Sequence, residues 1–193
     1  MTADARAGGR DLEALRRLAA AGSRAAATAV GGLMGCEVTV AEVESREAPD
    51  GAELAGLAGP GETVAVGMEL EGPLAGRLLL LVGSEDAERI AARLVPAAPA
   101  GSLDAVGESA IVEAGNIAGS AFVSALASRL GGRILHRVPR LARGAAGRCL
   151  GELVGRPSGP AAAARFACSG APGVRGLFLF LPDAALLRAL EAA

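Results

Sequence analysis

The sequence predicts an α+β fold made of two similar halves, in which two long helices cover a central sheet. Two long segments read as helices, one from Asp11 to about Gly35 and one that ends at about Leu130. Several shorter segments are apolar on both faces or nearly so, which is typical of strands in a covered sheet. The third observation is an internal repeat, because Thr28–Gly35 resembles Ser124–Gly131 at an offset of 96 residues.

The chain of 193 residues is expected to form one domain, residues 1–193, with its first half at about 11–96. Alternation of Cys36, Val38 and Val40 indicates a strand, and Glu71-Gly72-Pro73 is a turn signal between two further strands. The expected elements are a helix capped by Asp11, a strand over Cys36–Val43, a loop over Pro49–Gly61, strands over Thr63–Leu70 and Leu74–Val82, and a helix from its cap Ser84 to Leu94.

The second half, at about 102–193, follows the same plan after a linker over Pro96–Gly101. Its expected elements are a helix capped by Ser102 or Asp104 and ended by Gly131-Gly132, a strand over Ile134–Val138, a short helix over Arg140–Leu153, a turn over Arg156–Pro160, strands over Ala162–Cys168 and Gly176–Leu181, and a helix over Ala184–Ala192.

Composition and charge exclude several functions. The net charge is −2 with acids and bases interspersed, whereas a nucleic-acid-binding protein would show a basic surplus. The longest apolar runs, Leu78–Val82 and Leu177–Leu181, are far below the ~20 residues of a membrane helix. Met1–Gly9 lacks the apolar core of a signal peptide. We therefore expect a cytoplasmic protein that does not insert into membranes.

Cysteine and histidine are too few and too scattered to indicate a metal site. The cysteines are Cys36, Cys149 and Cys168, no CxxC pair is present, and His136 is the single histidine. A zinc site needs about four ligands at suitable spacing. Structural thiols are the favoured interpretation; a nucleophilic pair of His136 with Cys149 or Cys168 stays open, although no glycine elbow or orienting group supports it.

The second long helix carries a polar stripe that points to chemistry. On a helical wheel one side consists of Ser109, Glu113, Asn116, Ser120 and Ser124. The opposite side, which can pack on the sheet, consists of Ile111, Ala114, Ala118, Phe122 and Ala125. Because Glu113 and Asn116 are three apart, they are neighbours on the exposed face. Such a pair is usually only solvated, but its carboxylate can also bind a partner's cation while its amide orients a water molecule.

Two glycines inside this helix need a reason, since each costs ~1 kcal/mol relative to alanine. Gly119 lies at the flank of the polar stripe, where we expect it to allow close approach of a partner. Gly115 lies further round, towards the packed side, where we expect close packing within the fold.

These residues resemble a known family. Ser109, Glu113 and Asn116, with Pro139 following after twenty-two residues, form the pattern S-x3-E-x2-N-x22-P. The run Glu113–Ser120 with Ser124-Ala125-Leu126, and then Val138–Ala142, is similar to the signature of the CheC/CheX/FliY family of chemotaxis phosphatases, closest to CheC. The resemblance covers nearly the whole chain and implies duplicated α-β-β-β-α halves around a mostly antiparallel sheet, with the two long helices on one face.

The resemblance implies a reaction and a partner. Members dephosphorylate CheY-type response regulators, which carry the aspartyl phosphate and its Mg²⁺, so no cofactor of the chain's own is expected. Carried over, Glu113 pairs with the regulator's active-site lysine and Asn116 orients the attacking water. Ser109 and Pro139 shape the surroundings, and Gly119 and Ser120 complete the binding face. The deamidase CheD is a further partner that the resemblance allows.

The first helix departs from the pattern that two-site CheC proteins carry. At the offset of 96 residues, Arg17 stands where Glu113 stands and Ala20 where Asn116 stands. We expect this first site to be inactive, with Arg17 and Arg24 forming a solvated face or a docking surface for an acidic partner. The remaining hypotheses are a phosphatase, a non-catalytic adaptor for a response regulator or CheD, and a structural part of a flagellar switch.

Overall fold

The computed structural model describes residues 3–72, 75–95, 103–170 and 173–191. Six helices and seven strands are present in these ranges. The first half contains α1 Ala3–Met34, β1 Val38–Arg46, α2 Gly51–Ala58, β2 Glu62–Glu71, β3 Gly76–Gly83 and α3 Ser84–Leu94. The second half contains α4 Ala105–Leu130, β4 Leu135–His136, β5 Arg140–Ala145, α5 Ala146–Leu153, β6 Ala161–Cys168, β7 Arg175–Pro182 and α6 Ala184–Glu191.

All strands join one antiparallel sheet in the order β1-β6-β7-β3-β2-β4, and β5 also pairs with β2. The β3–β7 pair lies at its centre. On either side of this central pair, strands from different halves lie next to each other. Strand β1 of the first half pairs with β6 of the second, and β5 of the second half pairs with β2 of the first. This is the pseudo-two-fold arrangement expected from a duplicated chain.

The ends of the two long helices mark the same duplication. Gly35 follows α1 with φ 64° and Gly131 follows α4 with φ 66°, and they are 96 residues apart. A left-handed residue of this kind ends a helix, and glycine adopts it without steric cost. The predicted end of the second helix at Gly131 is confirmed, and so is Asp104 as its N-cap, because Asp104 Oδ1 accepts from Gly107 N at 2.8 Å.

Helices cover both faces of the sheet. The two long helices, α1 and α4, pack against each other and with α3 on one face, where the buried core includes Phe122, Leu126, Leu78 and Phe178. The two short helices α2 and α5 pack together on the other face, over Leu79 and other buried strand residues. The prediction of two long helices on one face is confirmed, and the second helical layer explains why the strands are apolar on both sides.

Helix α2 corrects the predicted loop over Pro49–Gly61. The Asp50 side chain accepts from the backbone N–H groups of Ala52 and Glu53 at 2.9 and 2.8 Å, and Glu53 accepts from Asp50 N. This reciprocal capping box stabilises the first turn of a helix that is only eight residues long. The missed signal was Asp50 followed three residues later by Glu53.

The segment Arg140–Leu153 is a strand followed by a helix, whereas the sequence predicted a helix throughout. Residues of β5 pair with β2 from Glu62–Ala145 to Gly67–Arg140, so tertiary pairing overrides the local helical pattern. Only the second part, α5, is helical. The strand predicted over Ile134–Val138 is reduced to Leu135–His136, since the chain then leaves the edge of the sheet.

Two predicted caps are wrong. Asp11 lies inside α1, which begins at Ala3. Ser84 is the first residue of α3, whose N-cap is Gly83 and has no side-chain cap. The predicted linker over Pro96–Gly101, the alternative cap Ser102 and the start of the strand at Leu74 lie outside the described residues.

Two of the three cysteines form a disulfide, whereas separate structural thiols were expected. Cys36 follows α1 and Cys168 ends β6, and the bond joins positions 132 residues apart. Cys149 is a free, fully buried thiol in α5, and its burial raises its pKa. Neither Cys149 nor Cys168 meets His136, because α5 covers the other face of the sheet and β6 lies near the opposite edge. The Cys/His nucleophilic pair is therefore wrong.

Ser23 in α1 is a buried polar group whose removal should stabilise the protein. Its side chain is 1% exposed, and within the described residues its Oγ has no hydrogen-bond partner. Burying such a group costs ~1–3 kcal/mol, and alanine is also the better helix former. We expect Ser23→Ala to raise the free energy of unfolding by about 1 kcal/mol or more.

Urea denaturation of Ser23→Ala, compared with wild type and with a control variant, tests this expectation. Ser45→Ala is the control, because Ser45 Oγ donates to Leu12 O at 2.9 Å and its loss should destabilise by about 1 kcal/mol. Equal effects of the two substitutions would show that Ser23 has a partner after all.

Candidate functional site

Helix α4, which carries the polar stripe, lies directly on strand β2 because two glycines leave its inner face without side chains. A Cβ on Gly115 would be 2.6 Å from Val66 Cγ1, and one on Gly119 would overlap the Met68 Sδ. The predicted close packing of Gly115 within the fold is confirmed. The expectation that Gly119 admits a partner is wrong, because Gly119 is buried and its missing side chain is replaced by Met68.

This packing also explains why α4 is apolar. Within the described residues, α4 is the one helix that is long and apolar enough to be a candidate span. Its apolar residues Ile111, Ala118 and Phe122 are buried in the core between the sheet and α1. A core helix meets the same length and composition test as a membrane helix.

The opposite face of α4 presents the predicted pair. Ser109, Glu113 and Ser120 are exposed, and Asn116 is half-buried. Glu113 and Asn116 lie one turn apart on the same face. Within the described part of the chain, neither side chain has a hydrogen-bond or ion-pair partner. The carboxylate and the amide are thus both free to meet groups from another molecule.

Ser120 has a partner that the sequence did not reveal. Its Oγ lies 2.9 Å from His136 Nε2, and His136 Nδ1 lies 3.0 Å from Arg137 O. Since a carbonyl only accepts, Nδ1 carries the proton in the neutral ring, and Ser120 donates to Nε2. The contact fixes β4 against α4. Ser109 Oγ donates to Ala105 O at 2.9 Å, inside the helix itself.

Pro139 lies in a segment that follows α4 along its length. At one end Ser120 contacts His136, and at the other Glu108 pairs with Arg143 at 2.8 Å. Arg143 also donates to Leu103 O at 3.2 Å. Pro139 lies between these two anchors, as Glu113 and Asn116 lie between Glu108 and Ser120. The structure therefore places Pro139 on the segment that runs beside the polar face of α4.

Nothing in the described chain covers this face. The segment over Arg140–Leu153 would block it if it folded across α4. Instead β5 pairs with β2, and α5 turns to the other face of the sheet, where Cys149, Leu150 and Leu153 are buried. We refer to the exposed surface around Glu113 and Asn116 as the α4 face.

The equivalent surface of α1 has the opposite charge. Arg17 is 74% exposed and donates to Glu13 at 2.9 Å, and Arg16 donates to the same carboxylate at 2.7 Å. The hydrogen bonds from Arg16 and Arg17 lower the pKa of Glu13 to about 2. Ala20, at the position of Asn116, is buried. Position 20 therefore offers neither a polar group nor access to a bound partner.

Metal binding finds no support in the described residues, where no group of three or more histidine, cysteine or acidic side chains could hold a metal ion. The candidate chemistry rests on an exposed carboxylate and an amide, which suits positioning of a partner's groups.

No protein-family model and no curated protein matches the sequence. Solved structures do match. FliY from Thermotoga maritima aligns with a TM-score of 0.70 at 18% identity over 100% of this chain and 96% of that one. The chemotaxis protein CheX from Desulfovibrio desulfuricans aligns with 0.63 at 13% identity over 86% and 99%. FliM in a FliM–SpeE complex from H. pylori aligns with 0.68 at 10% identity over 94% and 95%.

These similarities span almost the full length of each of the three solved structures. Their sequence identities are too low to show more than a shared fold. They support the resemblance seen in the sequence, and they extend it to FliM. A particular nearness to CheC stays a prediction. The chain has the fold that FliY, CheX and FliM share.

Proposed function

We propose that this protein is a phosphatase that hydrolyses the aspartyl phosphate of a CheY-type response regulator in chemotaxis signalling. The observation that carries the proposal is the α4 face, where Glu113 and Asn116 are adjacent, uncovered and without partners in the described chain. A pair that braced the fold would bind neighbouring side chains of its own chain, so this pair does not have that role. This pair is available to a second molecule.

The chemistry follows from the two functional groups. Hydrolysis of an acyl phosphate passes through a loose transition state, so in-line placement of water matters more than a strong base. Docked on the regulator, Glu113 binds its active-site lysine and Asn116 accepts a hydrogen bond from the attacking water. The water oxygen bonds to phosphorus while the bond to the aspartyl oxygen breaks, and the water's proton ends on the released phosphate. The Mg²⁺ belongs to the regulator.

The close packing of α4 on the sheet supports this role. Gly115 and Gly119 hold the helix on β2, and the contacts of Ser120 and Glu108 hold the neighbouring segment. A site that acts by orientation gains from such preorganisation, because displacements of about 1 Å can cost ~10²-fold in rate.

A turnover experiment tests the proposal. A CheY-type regulator is phosphorylated and mixed with a much smaller molar amount of this protein, and the lifetime of the phosphate is followed. We expect release of many phosphates per molecule of protein. Formation of a complex without faster decay would refute the phosphatase and leave a binding protein.

The second candidate function is a non-catalytic adaptor for a response regulator or for CheD. The observation in its favour is the altered α1 surface, where Arg17 and the buried Ala20 replace the pair. The likeness to FliM also keeps a structural role in a flagellar switch open. Both predict binding without turnover, so the same experiment separates them from the phosphatase.

A chemotaxis phosphatase acts in the cytoplasm, and we propose that location. Disulfides are rare in that compartment, so the Cys36–Cys168 bond weighs against it. Alkylation of free thiols in fresh lysate, followed by mass measurement of the protein, shows whether the pair is oxidised there.

A further inference from the structure

The feature that the proposed function leaves unexplained is Val138. Three residues between β4 and β5 belong to neither strand, and among them Val138 is 85% exposed. The other large apolar side chains that are exposed in the described chain are much less so, from 42% to 55%. A single exposed valine is not unusual. What distinguishes Val138 is its position beside the α4 face and the contacts that hold the backbone around it.

Val138 stands beside the α4 face. His136 contacts Ser120 and Arg143 pairs with Glu108, so the segment 136–143 runs antiparallel to the stretch 108–120 of α4. That stretch of helix is about 18 Å long and has Glu113 and Asn116 near its middle. Val138 therefore lies close to the level of the pair, on the neighbouring segment.

Contacts of the neighbouring residues restrain the backbone at Val138, so its exposed side chain has a defined position. Arg137 N donates to Glu69 O at 2.8 Å, and Arg137 O accepts from His136 Nδ1 at 3.0 Å. The Arg137 guanidinium also pairs with Glu71 and, at 3.8 Å, with Glu69. On the other side, Pro139 fixes its own φ and restricts the backbone of Val138. Little conformational entropy would be lost when such a side chain is covered, and low entropy loss favours binding.

A partner docked on the α4 face with an interface of ordinary size would cover this residue. A stable interface buries ~800 Å² per partner, which corresponds to a disc of roughly 16 Å radius. A helix and the segment packed beside it are separated by about 10 Å. A receiver domain centred on Glu113 and Asn116 therefore extends over Val138.

We propose that Val138 is the apolar anchor on which the receiver domain of the phosphorylated regulator docks. This inference rests on the proposed function, whose partner it uses. Val138 touches neither the phosphoryl group nor the water, so it determines affinity, whereas Asn116 determines the rate of the bound complex. Covering an exposed apolar side chain removes it from water and favours binding, whereas polar groups that stay solvated at the rim contribute little.

The test compares Val138→Ser with Leu135→Ser. Leu135 is 51% exposed and only three residues away, but it alternates with His136 and so faces away from α4. Binding is measured by calorimetry to a CheY-type receiver domain activated with beryllofluoride, and phosphate release is measured as a function of regulator concentration. We expect Val138→Ser to raise Kd and KM by about tenfold, with kcat unchanged, Leu135→Ser to change neither, and Val138→Ile to keep wild-type affinity.

The outcomes separate the two proposals. If wild type turns over the regulator but Val138→Ser leaves Kd and KM unchanged, the anchor is wrong and the phosphatase stands. If wild type binds without turnover and Val138→Ser weakens binding, the phosphatase is wrong and the anchor stands. A loss of kcat in Val138→Ser with unchanged KM would contradict the anchor, and absence of any binding by wild type would overturn both.

Discussion

Replacing Asn116 by alanine should reduce the acceleration of phosphate release by ~10²-fold or more, which is the scale for loss of one positioned polar group in a site. The reason lies in the geometry of the α4 face. Asn116 is half-buried on α4, so its amide has less freedom to move than the carboxylate of Glu113, which is exposed and can follow a partner's cation. An alanine leaves the attacking water without direction.

Binding should survive this substitution. Asn116→Ala removes a group that meets the water, whereas Glu113 and the surrounding surface are unchanged, so Kd for the activated receiver domain should change little. Ser124→Ala is the matched control: it lies two turns further along the same stripe, is exposed, and should retain full turnover. An Asn116→Ala protein that keeps wild-type turnover would remove Asn116 from the mechanism.

Glu113→Gln should act differently from Asn116→Ala. The carboxylate has no partner in the described chain, so its charge is available to the partner's lysine. Removing one member of a charge-assisted hydrogen bond costs ~1.5–3 kcal/mol, which is about tenfold to a hundredfold. The loss should appear in the Kd for the activated receiver domain, measured by calorimetry. Unchanged Kd would show that Glu113 meets solvent only.

The sequence was sufficient for α4 because every signal that defines it is local. Asp104 caps it, Gly131 ends it, and its polar and apolar stripes predict correctly which side chains are exposed. The order of the elements was predictable except for α2 and β5, since the two halves share most of their plan. Strand β5 was missed because Arg140–Ala145 becomes a strand only through its pairing with Glu62–Gly67, 73 or more residues earlier in the chain.

The candidate site was predictable only in part, for the same reason. The adjacency of Glu113 and Asn116 follows from helix geometry alone. The contact of Ser120 with His136 depends on the path of the chain after α4, which no periodicity encodes. Gly119 was assigned to the exposed side because a helical wheel gives only the angle of a residue around the helix. It does not show which residue of another element comes closest, and for Gly119 that residue is Met68 of β2.

Gly115→Ala should destabilise the protein although alanine is the better helix former. The added Cβ would be 2.6 Å from Val66 Cγ1 and 3.1 Å from Val66 Cβ, and a β-branched residue in a strand has little rotamer freedom to give way. Overpacking of a core costs ~1–3 kcal/mol against a gain of ~1 kcal/mol in helix propensity. We expect a net loss of up to about 2 kcal/mol and a Tm lower by a few degrees.

Gly32→Ala provides the matched control, because Gly32 is also inside a long helix but has no atom within 4 Å of an added Cβ. It should raise stability by about 0.5–1 kcal/mol. A double-mutant cycle with Val66→Ala isolates the contact: if Gly115 is small because of Val66, Gly115→Ala should cost less in the Val66→Ala background.

The same substitution links packing to function. An alanine at Gly115 lifts the middle of α4 from β2, one residue before Asn116, so turnover should fall even where the protein remains folded. Val66→Ala should then restore part of the rate as it restores part of the stability. If turnover stays at the wild-type level in folded Gly115→Ala protein although stability falls, the packing of α4 on β2 does not set the geometry of the Glu113/Asn116 pair.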